Sequence, residues 1–490
     1  MFGNRSILIE PARPVVIKQS PKAPWFAVGV VCFGAFMGQL DASIVTLTFK
    51  PMERQFAAPL AGVQWVSLAY LLALVGLLTP VGRLSDAVGR KLIYTYGFVL
   101  FTGASVACGL APSLGLLVAF RLLQAAGAAM LQSNSVALVT TSAPPGSIRL
   151  ALGTQAAAQA IGLALGPTLG GLLTASVGWR YVYWVNVPVG IAAIVAGRYL
   201  LPRTRQFSRT DSFDWLGTGL LAASTSALLL AVSAAAGLSM PGWAVALLIA
   251  VAVLAAAGFG VRQLRARFPL IPAPLLRSAR LAFGLAGALA GYLVLFGPLV
   301  LIPQVLGGGG ALRAGLILSA LPVGFGLAAL GAEAVLPKAW GNWQRGVAGG
   351  LVSAAALALL IVLPLSSGAL APLLAVAGLG LGAFVPANNT VIMAASPGAS
   401  AGVLGGLVNM ARGIGTALGI SMVTLALHLS GPPRTGKPGV SGGPDPRPAL
   451  AMLAVTAVAA AFTALAGRRK RALAQQRSGW AREGEQPGAF

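Results

Sequence analysis

The segment Gly82-Arg83-Leu84-Ser85-Asp86-Ala87-Val88-Gly89-Arg90-Lys91 carries four charged residues in ten, within a chain of 490 residues of which only 9% are charged. It sits between two apolar stretches, at about 62–82 and 92–111, each of roughly the 20 residues that a membrane-crossing helix needs. Glycine permits a tight turn, the carboxylate can meet a helix N-terminus or a cation, and the basic pair anchors the turn at a cytoplasmic surface. The segment reads as a short polar loop between two spans. Further apolar runs fall at about 25–49, 114–140, 150–174, 180–201, 215–236, 242–261, 281–303, 312–334, 346–364, 370–393, 402–427 and 449–467, making fourteen in all. A segment isolated in lipid must satisfy its backbone hydrogen bonds internally, and these runs lack the alternation of barrel strands. An all-α membrane protein of fourteen helices is expected.

The composition excludes other classes. With 57% hydrophobic residues and a further 64 glycines, too few charged groups remain to build a water-facing surface, and fourteen spans leave no room for a sizeable soluble domain. The formal charge is +24, but the basic residues fall between apolar runs, which marks orientation rather than a nucleic-acid site. If the N-terminus is cytoplasmic, 25 of the 34 Lys and Arg lie on the cytoplasmic side, 7 lie outside, and Arg121 and Arg412 lie within spans. Both termini are therefore expected in the cytoplasm, in a bacterial-type inner membrane. No cleavable signal peptide is evident, so the first run reads as a retained span. The two richest basic loops bracket the seventh and eighth runs, giving six, two and six. On this reading the chain has an N-terminal tail, 1–24; a six-helix half, 25–201; an inserted two-helix hairpin with basic flanks, 202–280; a second six-helix half, 281–467; and a C-terminal tail, 468–490, expected to be disordered. A Gly/Pro-rich outer loop is expected at 431–448.

Enzymatic chemistry finds little to work with. No phosphate-cradling loop occurs, since Gly436-Lys437 is followed by Pro438, so ATP is not expected as a partner. The single histidine, His428, reads as an interfacial side chain, and Cys32 and Cys108 both lie inside apolar runs. Neither a metal site nor a catalytic nucleophile with its base is expected.

The decapeptide resembles the signature loop of the major facilitator superfamily, G-x-L-x-D-x-x-G-R-K, at Gly82, Leu84, Asp86, Gly89, Arg90 and Lys91. That resemblance implies that Asp86 latches one half against the other in the outward-facing state, with Gly82, Gly89, Arg90 and Lys91 as the rest of the switch. Ala87 stands where many members carry Arg. The fifth run contains Gly162-Leu-Ala-Leu-Gly166-Pro167-Thr-Leu-Gly170-Gly171, which is similar to the superfamily's antiporter motif; small residues at this spacing let helices pack backbone to backbone, and Pro167 supplies a bend. Trp179-Arg180-Tyr-Val-Tyr-Trp-Val-Asn186-Val-Pro188 and Gln64-Trp65-Val-Ser-Leu-Ala-Tyr70 also resemble family strings. Together they point to the fourteen-helix drug:proton antiporters. The second half is less specific, and Glu333 to Arg345 is at best a degraded copy of the signature loop.

Ionisable groups within the membrane are expensive, which makes Asp41, Arg121 and Arg412 functional candidates. Asp41 opens Asp41-Ala-Ser43-Ile-Val-Thr, similar to the family's L-D-x-T-I-V with Ser43 for Thr, and Arg121 opens Arg121-Leu-Leu-Gln124-Ala125-Ala-Gly127, with Ala125 for a family Gly. At about 1.5 Å per residue, Asp41 lies about 24 Å from the inner end of its helix and Arg121 about 10 Å from the outer end of its own. Both fall in the outer third of the membrane, close enough to meet, as a structural ion pair or as a titrating pair that couples proton and substrate. The amides Gln39, Gln124, Gln132, Asn134, Gln155, Gln159, Asn388, Asn389 and Asn409, with Arg412, are the candidate substrate cavity; each amide could equally join helices.

The expected activity is proton-coupled export of small amphiphilic or cationic organic compounds by alternating access, without cofactor, as a monomer in the lipid bilayer. Two other readings stay open: an exporter dedicated to one natural product or lipid, and a non-transporting receptor or assembly factor on the same fold.

Overall fold

A computed structural model of the chain describes residues 13–144, 146–203, 214–235, 240–306, 311–363, 367–395, 400–430 and 445–483. Every regular element among them is helical. The long helices are α1 (Ala23–Ile44), α2 (Leu60–Val88), α3 (Arg90–Leu110), α4 (Leu114–Ser142), α5 (Ile148–Ser176), α6 (Asn186–Leu200), α7 (Trp215–Ala235), α8 (Gly242–Arg265), α9 (Ala279–Leu306), α10 (Ala311–Val335), α11 (Asn342–Val362), α12 (Ser367–Met393), α13 (Ala401–Ser430) and α14 (Arg447–Glu483). Thirteen of the described helices have the length and hydropathy to cross a membrane. The run expected at 180–201 is the exception: it is broken into Tyr181–Trp184 and the 15-residue α6. Pro188 has no N–H to offer the carbonyl of Trp184, so the ladder is interrupted there.

Hydropathy also misplaced two helix ends. The decapeptide is not a loop: α2 runs on through Gly82 and Asp86 to Val88, and only Gly89 separates it from α3. Residues 83–88 contain neither glycine nor proline, so the backbone continues past the apolar boundary. The C-terminal segment expected to be disordered is helical as far as Glu483, continuing α14, for the same reason: Arg468 to Glu483 contains only one glycine and no proline. Of the outer loop expected at 431–448, residues 431–444 lie outside the described residues and Arg447 and Pro448 already belong to α14; most of the basic segment between α6 and α7 and the side chains of Pro167 and His428 also lie outside the described residues.

The helix pairings repeat with a step of eight. Within the first six helices, α1 packs on α4, α5 and α6, α2 on α4, and α3 on α4 and α6. In the last six, α9 packs on α12, α13 and α14, α10 on α12, and α11 on α12 and α14. The contacts between the two sets obey the same rule, since α2 and α4 meet α13 where α10 and α12 meet α5. Each set has its own apolar core, one around Phe98, Phe101 and Leu131, the other around Leu357, Phe384 and Leu453. Helices α7 and α8 stand outside this correspondence. They pack on each other, Ser224 donates to the carbonyl of Ala252, and α7 also leans on α2 and α13, where Val75, Leu229 and Ala417 form a small cluster. Val253, Leu254 and Leu264 of α8 are exposed, as a lipid-facing helix requires.

Candidate functional site

At the end of the molecule that carries Gly89, the two six-helix sets are joined at α2 and α13. Gly89 has φ +128°, a conformation that side chains avoid, and this turns the chain from α2 into α3 within one residue. The turn keeps Asp86 buried against Arg90, whose Nε and Nη2 donate to Asp86 Oδ1 at 2.9 and 2.7 Å. The same carboxylate accepts from the backbone N–H of Gly402 at 2.9 Å and of Val403 at 3.0 Å. These are the second and third residues of α13, where free N–H groups and the helix dipole favour an anion. Lys91 is buried and donates to the carbonyl of Leu201, closing the end of α6. The seam beside the carboxylate is made of backbone: a methyl group at Gly82 would strike the carbonyl of Gly402, at Gly406 that of Leu78, and at Gly405 that of Ser133.

The eightfold step places Glu333 where Asp86 would lie. Asp86 is two residues from the end of α2, and Glu333 is two from the end of α10. Instead of a helix N-terminus, Glu333 takes the side chain of Arg149, the second residue of α5, at 2.6 Å, and that of Arg345 at 3.2 Å. Arg149 also donates to Asn342 at 3.1 Å. A second link between the sets therefore stands at the same end, on the segment that reads in sequence as a degraded copy.

Asp41 and Arg121 meet inside the first set of helices. Arg121 Nη1 donates to Asp41 Oδ2 at 2.7 Å, and both side chains are buried. Asp41 Oδ1 accepts from Gln124 at 3.0 Å and from Asn186 at 3.3 Å; Gln124 also accepts from Arg121 at 2.6 Å and donates to Ser105 at 2.8 Å. Arg121 Nε reaches the carbonyl of Val66, and its guanidinium lies 4.0 Å from the centre of the Tyr70 ring and 5.7 Å from that of Tyr183. The pair is thus neutralised, hydrogen-bonded and roofed by aromatic rings. The Oη atoms of Tyr70 and Tyr183 have no hydrogen-bond partner among the described residues. The sequence left Ser105 and Tyr183 unassigned, and quoted Asn186 and Tyr70 without giving them a role; an amide or phenol that follows the depth of a buried charge along neighbouring runs is the signal that would have found them.

The α5 glycines do not all share one contact. Gly162 lies on the backbone of Phe36 and Leu40, and Gly166 on Ser43, so the seam packs α5 against α1. Gly170 is buried and Gly171 exposed.

The candidate cavity residues separate. Gln124 belongs to the ion pair. Asn134 bonds to Met130 and Ser133 of its own helix, while Gln155 and Asn389 are buried with an amide atom unpaired. Asn388 donates to Gly284 and lines a cleft of about 520 Å³ at the Gly89 end, with Arg280 and Trp343. Gln39, Gln132 and Gln159 remain at the centre, bordering two adjoining narrow spaces. The larger, about 10 Å³, has room for about one water. There Tyr292 of α9 donates to Gln159 of α5 at 3.0 Å, and Asn409 of α13 donates to the carbonyl of Gln132 of α4 at 2.7 Å. Both bonds cross between the sets. Arg412 bonds to Asn409 at 3.1 Å, 5.0 Å from the Tyr292 ring centre. Among the described residues no group of three His, Cys, Asp or Glu is placed to hold a metal ion.

Comparison with known proteins agrees with this architecture. Residues 31–420 match the Major Facilitator Superfamily. The chain is 32% identical to the tetracenomycin C resistance and export protein of Streptomyces glaucescens, over 82% of this chain and 75% of that protein. It is 31% identical to a probable actinorhodin transporter of Streptomyces coelicolor, over 83% and 73% respectively. The crystal structure of the human organic anion transporter MFSD10 shares the fold, with a TM-score of 0.64 at 16% identity, covering 91% of this chain and 100% of that one. The chain is a multi-pass membrane protein that belongs to the Major Facilitator Superfamily, a transporter and not an enzyme.

Proposed function

We propose that this protein is a proton-coupled antiporter that exports small amphiphilic organic compounds by alternating access, of the fourteen-helix drug:proton type. On this reading α1–α6 and α9–α14 are the moving halves, α7 and α8 an inserted hairpin, and both termini lie on the cytoplasmic side of a bacterial-type inner membrane. The Gly89 end is then cytoplasmic, and the Asp86 and Glu333 links seal it. The observation that carries the proposal is the Asp41–Arg121 pair, a carboxylate deep among the spans and fully neutralised.

Water entering from one side can separate the carboxylate from the guanidinium and so expose the acid to that side alone. In the outward-facing state Asp41 takes a proton as its hold on Arg121 loosens and substrate leaves. It releases that proton inward as new substrate binds. Gln124, Asn186 and Ser105 keep the acid oriented throughout. The test is substrate-induced proton release from purified protein in detergent. Asp41→Asn is expected to release none; release equal to wild type would move the carrier elsewhere, with Glu333 next.

The names of the relatives favour one narrower version, an exporter dedicated to a single natural product. A susceptibility and dye-efflux panel in a host without its own pumps, with and without a protonophore, separates the two by breadth.

A further inference from the structure

Among the described residues, Arg412 is a cation buried within a span that no carboxylate pairs with. There are ten acidic residues in the sequence. Asp41 belongs to Arg121, Asp86 to Arg90 and the start of α13, Asp214 to Arg262, and Glu333 to Arg149 and Arg345. The other six, Glu10, Glu53, Asp211, Asp445, Glu483 and Glu485, stand outside the apolar runs. Among the described residues no carboxylate pairs with Arg412. That residue is eleven positions into α13, about 16 Å from its start, and only 4% exposed. Its sole hydrogen bond among the described residues goes to the neutral Asn409, and its Nε is buried with no acceptor.

The surroundings indicate what the guanidinium is for. Arg412 lies on the ring of Tyr292, and Tyr292 faces the central space together with Gln39, Gln159, Leu163, Phe296 and Phe325. The walls are apolar and aromatic, the polar groups are amides and a phenol, and the one charge behind them is positive. A cationic compound entering this space would meet an uncompensated cation in a low-dielectric setting. An organic acid would neutralise it. The two bonds that hold this region closed, Tyr292 to Gln159 and Asn409 to the Gln132 carbonyl, both run between the halves. Separation of the halves therefore releases the ring that covers the guanidinium, and frees Asn409, in the same movement that widens the space.

We propose that the central space binds an apolar or aromatic organic acid in its anionic form, with the carboxylate or phenolate held by Arg412 and its body against Leu163, Phe296 and Phe325. This rests on the export reading above and names its substrate class, an anionic one in place of the amphiphilic or cationic compounds expected from the sequence. The step is binding only: no bond is made or broken.

Two xanthene dyes of similar body and opposite charge, fluorescein and rhodamine 6G, test it by fluorescence anisotropy on the purified full-length protein. Wild type is expected to bind fluorescein at least ten-fold more tightly than rhodamine 6G. Arg412→Gln is expected to weaken fluorescein at least ten-fold and rhodamine 6G not at all, with Arg412→Lys between. Because the charge has no counter-ion, Arg412→Gln is also expected to melt no lower than wild type; a merely structural arginine would lower the melting temperature and leave the dye preference alone. Failure of fluorescein to bind wild type, a preference for rhodamine 6G, or undiminished fluorescein binding by Arg412→Gln each overturns the assignment. Reconstitution with an imposed pH gradient keeps the two readings apart. Arg412-dependent fluorescein binding without gradient-driven movement would leave this site standing and remove the export mechanism; gradient-driven movement that favours rhodamine 6G would do the reverse.

Discussion

Replacing Asp86 with asparagine should open the end of the molecule that α2 and α13 seal. The bond to Arg90 lies within one half and survives opening, so it does not count. What opening loses is the pair of bonds from the N–H groups of Gly402 and Val403, at 2.9 and 3.0 Å. A hydrogen bond to a charged group contributes about 1.5–3 kcal/mol, and the carboxylate gains up to about 2 kcal/mol more from the helix N-terminus. Asparagine keeps one acceptor, turns an N–H₂ toward the other donor, and loses the charge. The sealed state should therefore weaken by about 2–4 kcal/mol, which at 1.4 kcal/mol per tenfold moves the balance about 30- to 700-fold toward the open form. The assay is a spin-label distance measurement in a background lacking Cys32 and Cys108, with labels at Val88 and Lys338, which are exposed on opposite halves. Wild type should show a short distance and Asp86→Asn a dominant longer one, with slower turnover and ligand affinity within a few-fold. An unchanged distribution in Asp86→Asn would refute the view that these two backbone bonds hold the seal.

Glu333→Gln should open the same end far less, because Glu333 and Arg149 are each nearly a third exposed and such pairs contribute up to about 1 kcal/mol; the same labels should report a shift of no more than about five-fold. Asp41→Asn leaves Arg121 buried without its anion, a loss of about 3–5 kcal/mol, so its melting temperature should fall, whereas Asp41→Asn with Arg121→Gln should recover most of the stability and none of the uphill efflux. A double variant that melts no higher than the single one would mean that the pair is not what stabilises this core. Gly166→Leu drives a side chain into Ser43 of α1, and transport in vesicles should fall more steeply than the amount of folded protein; an equal fall in both would make the seam purely structural.

Much of this was readable from the chain, for definite physical reasons. A membrane makes burial of charge costly, so Asp41 and Arg121 stood out at matching depth, and the structure brings them together. The segment from Gly82 to Lys91 announced a junction, although its helical continuation did not show, since hydropathy measures solvent and not backbone. The second half was harder. Glu333 to Arg345 read only as a degraded copy of the signature loop, Arg149 stands 184 residues before Glu333, and it is the pairing of helices that shows the three side chains meeting in the place that corresponds to Asp86. Tyr292 was invisible for a different reason: one tyrosine in an apolar helix gives no sign of facing Gln159 and Arg412 until α5, α9 and α13 are brought together. The break before α6 was announced by Pro188 and masked by the apolar length of the run.

The seam of Gly82, Gly402, Gly405 and Gly406 has a consequence for the stroke itself. Where two surfaces meet through interlocking side chains, parting them changes the rotamers on both faces and exposes oily area to water or lipid. Here the approach is carbonyl to Cα, so at this seam there are no rotamers to reset and little apolar area to uncover. The mating faces are as ordered apart as together. On the alternating-access reading, the work of parting this seam falls on a few polar bonds that can be made or broken one at a time, and a single added methyl group at Gly406 would act as a wedge, propping the molecule in the opposite conformation for study.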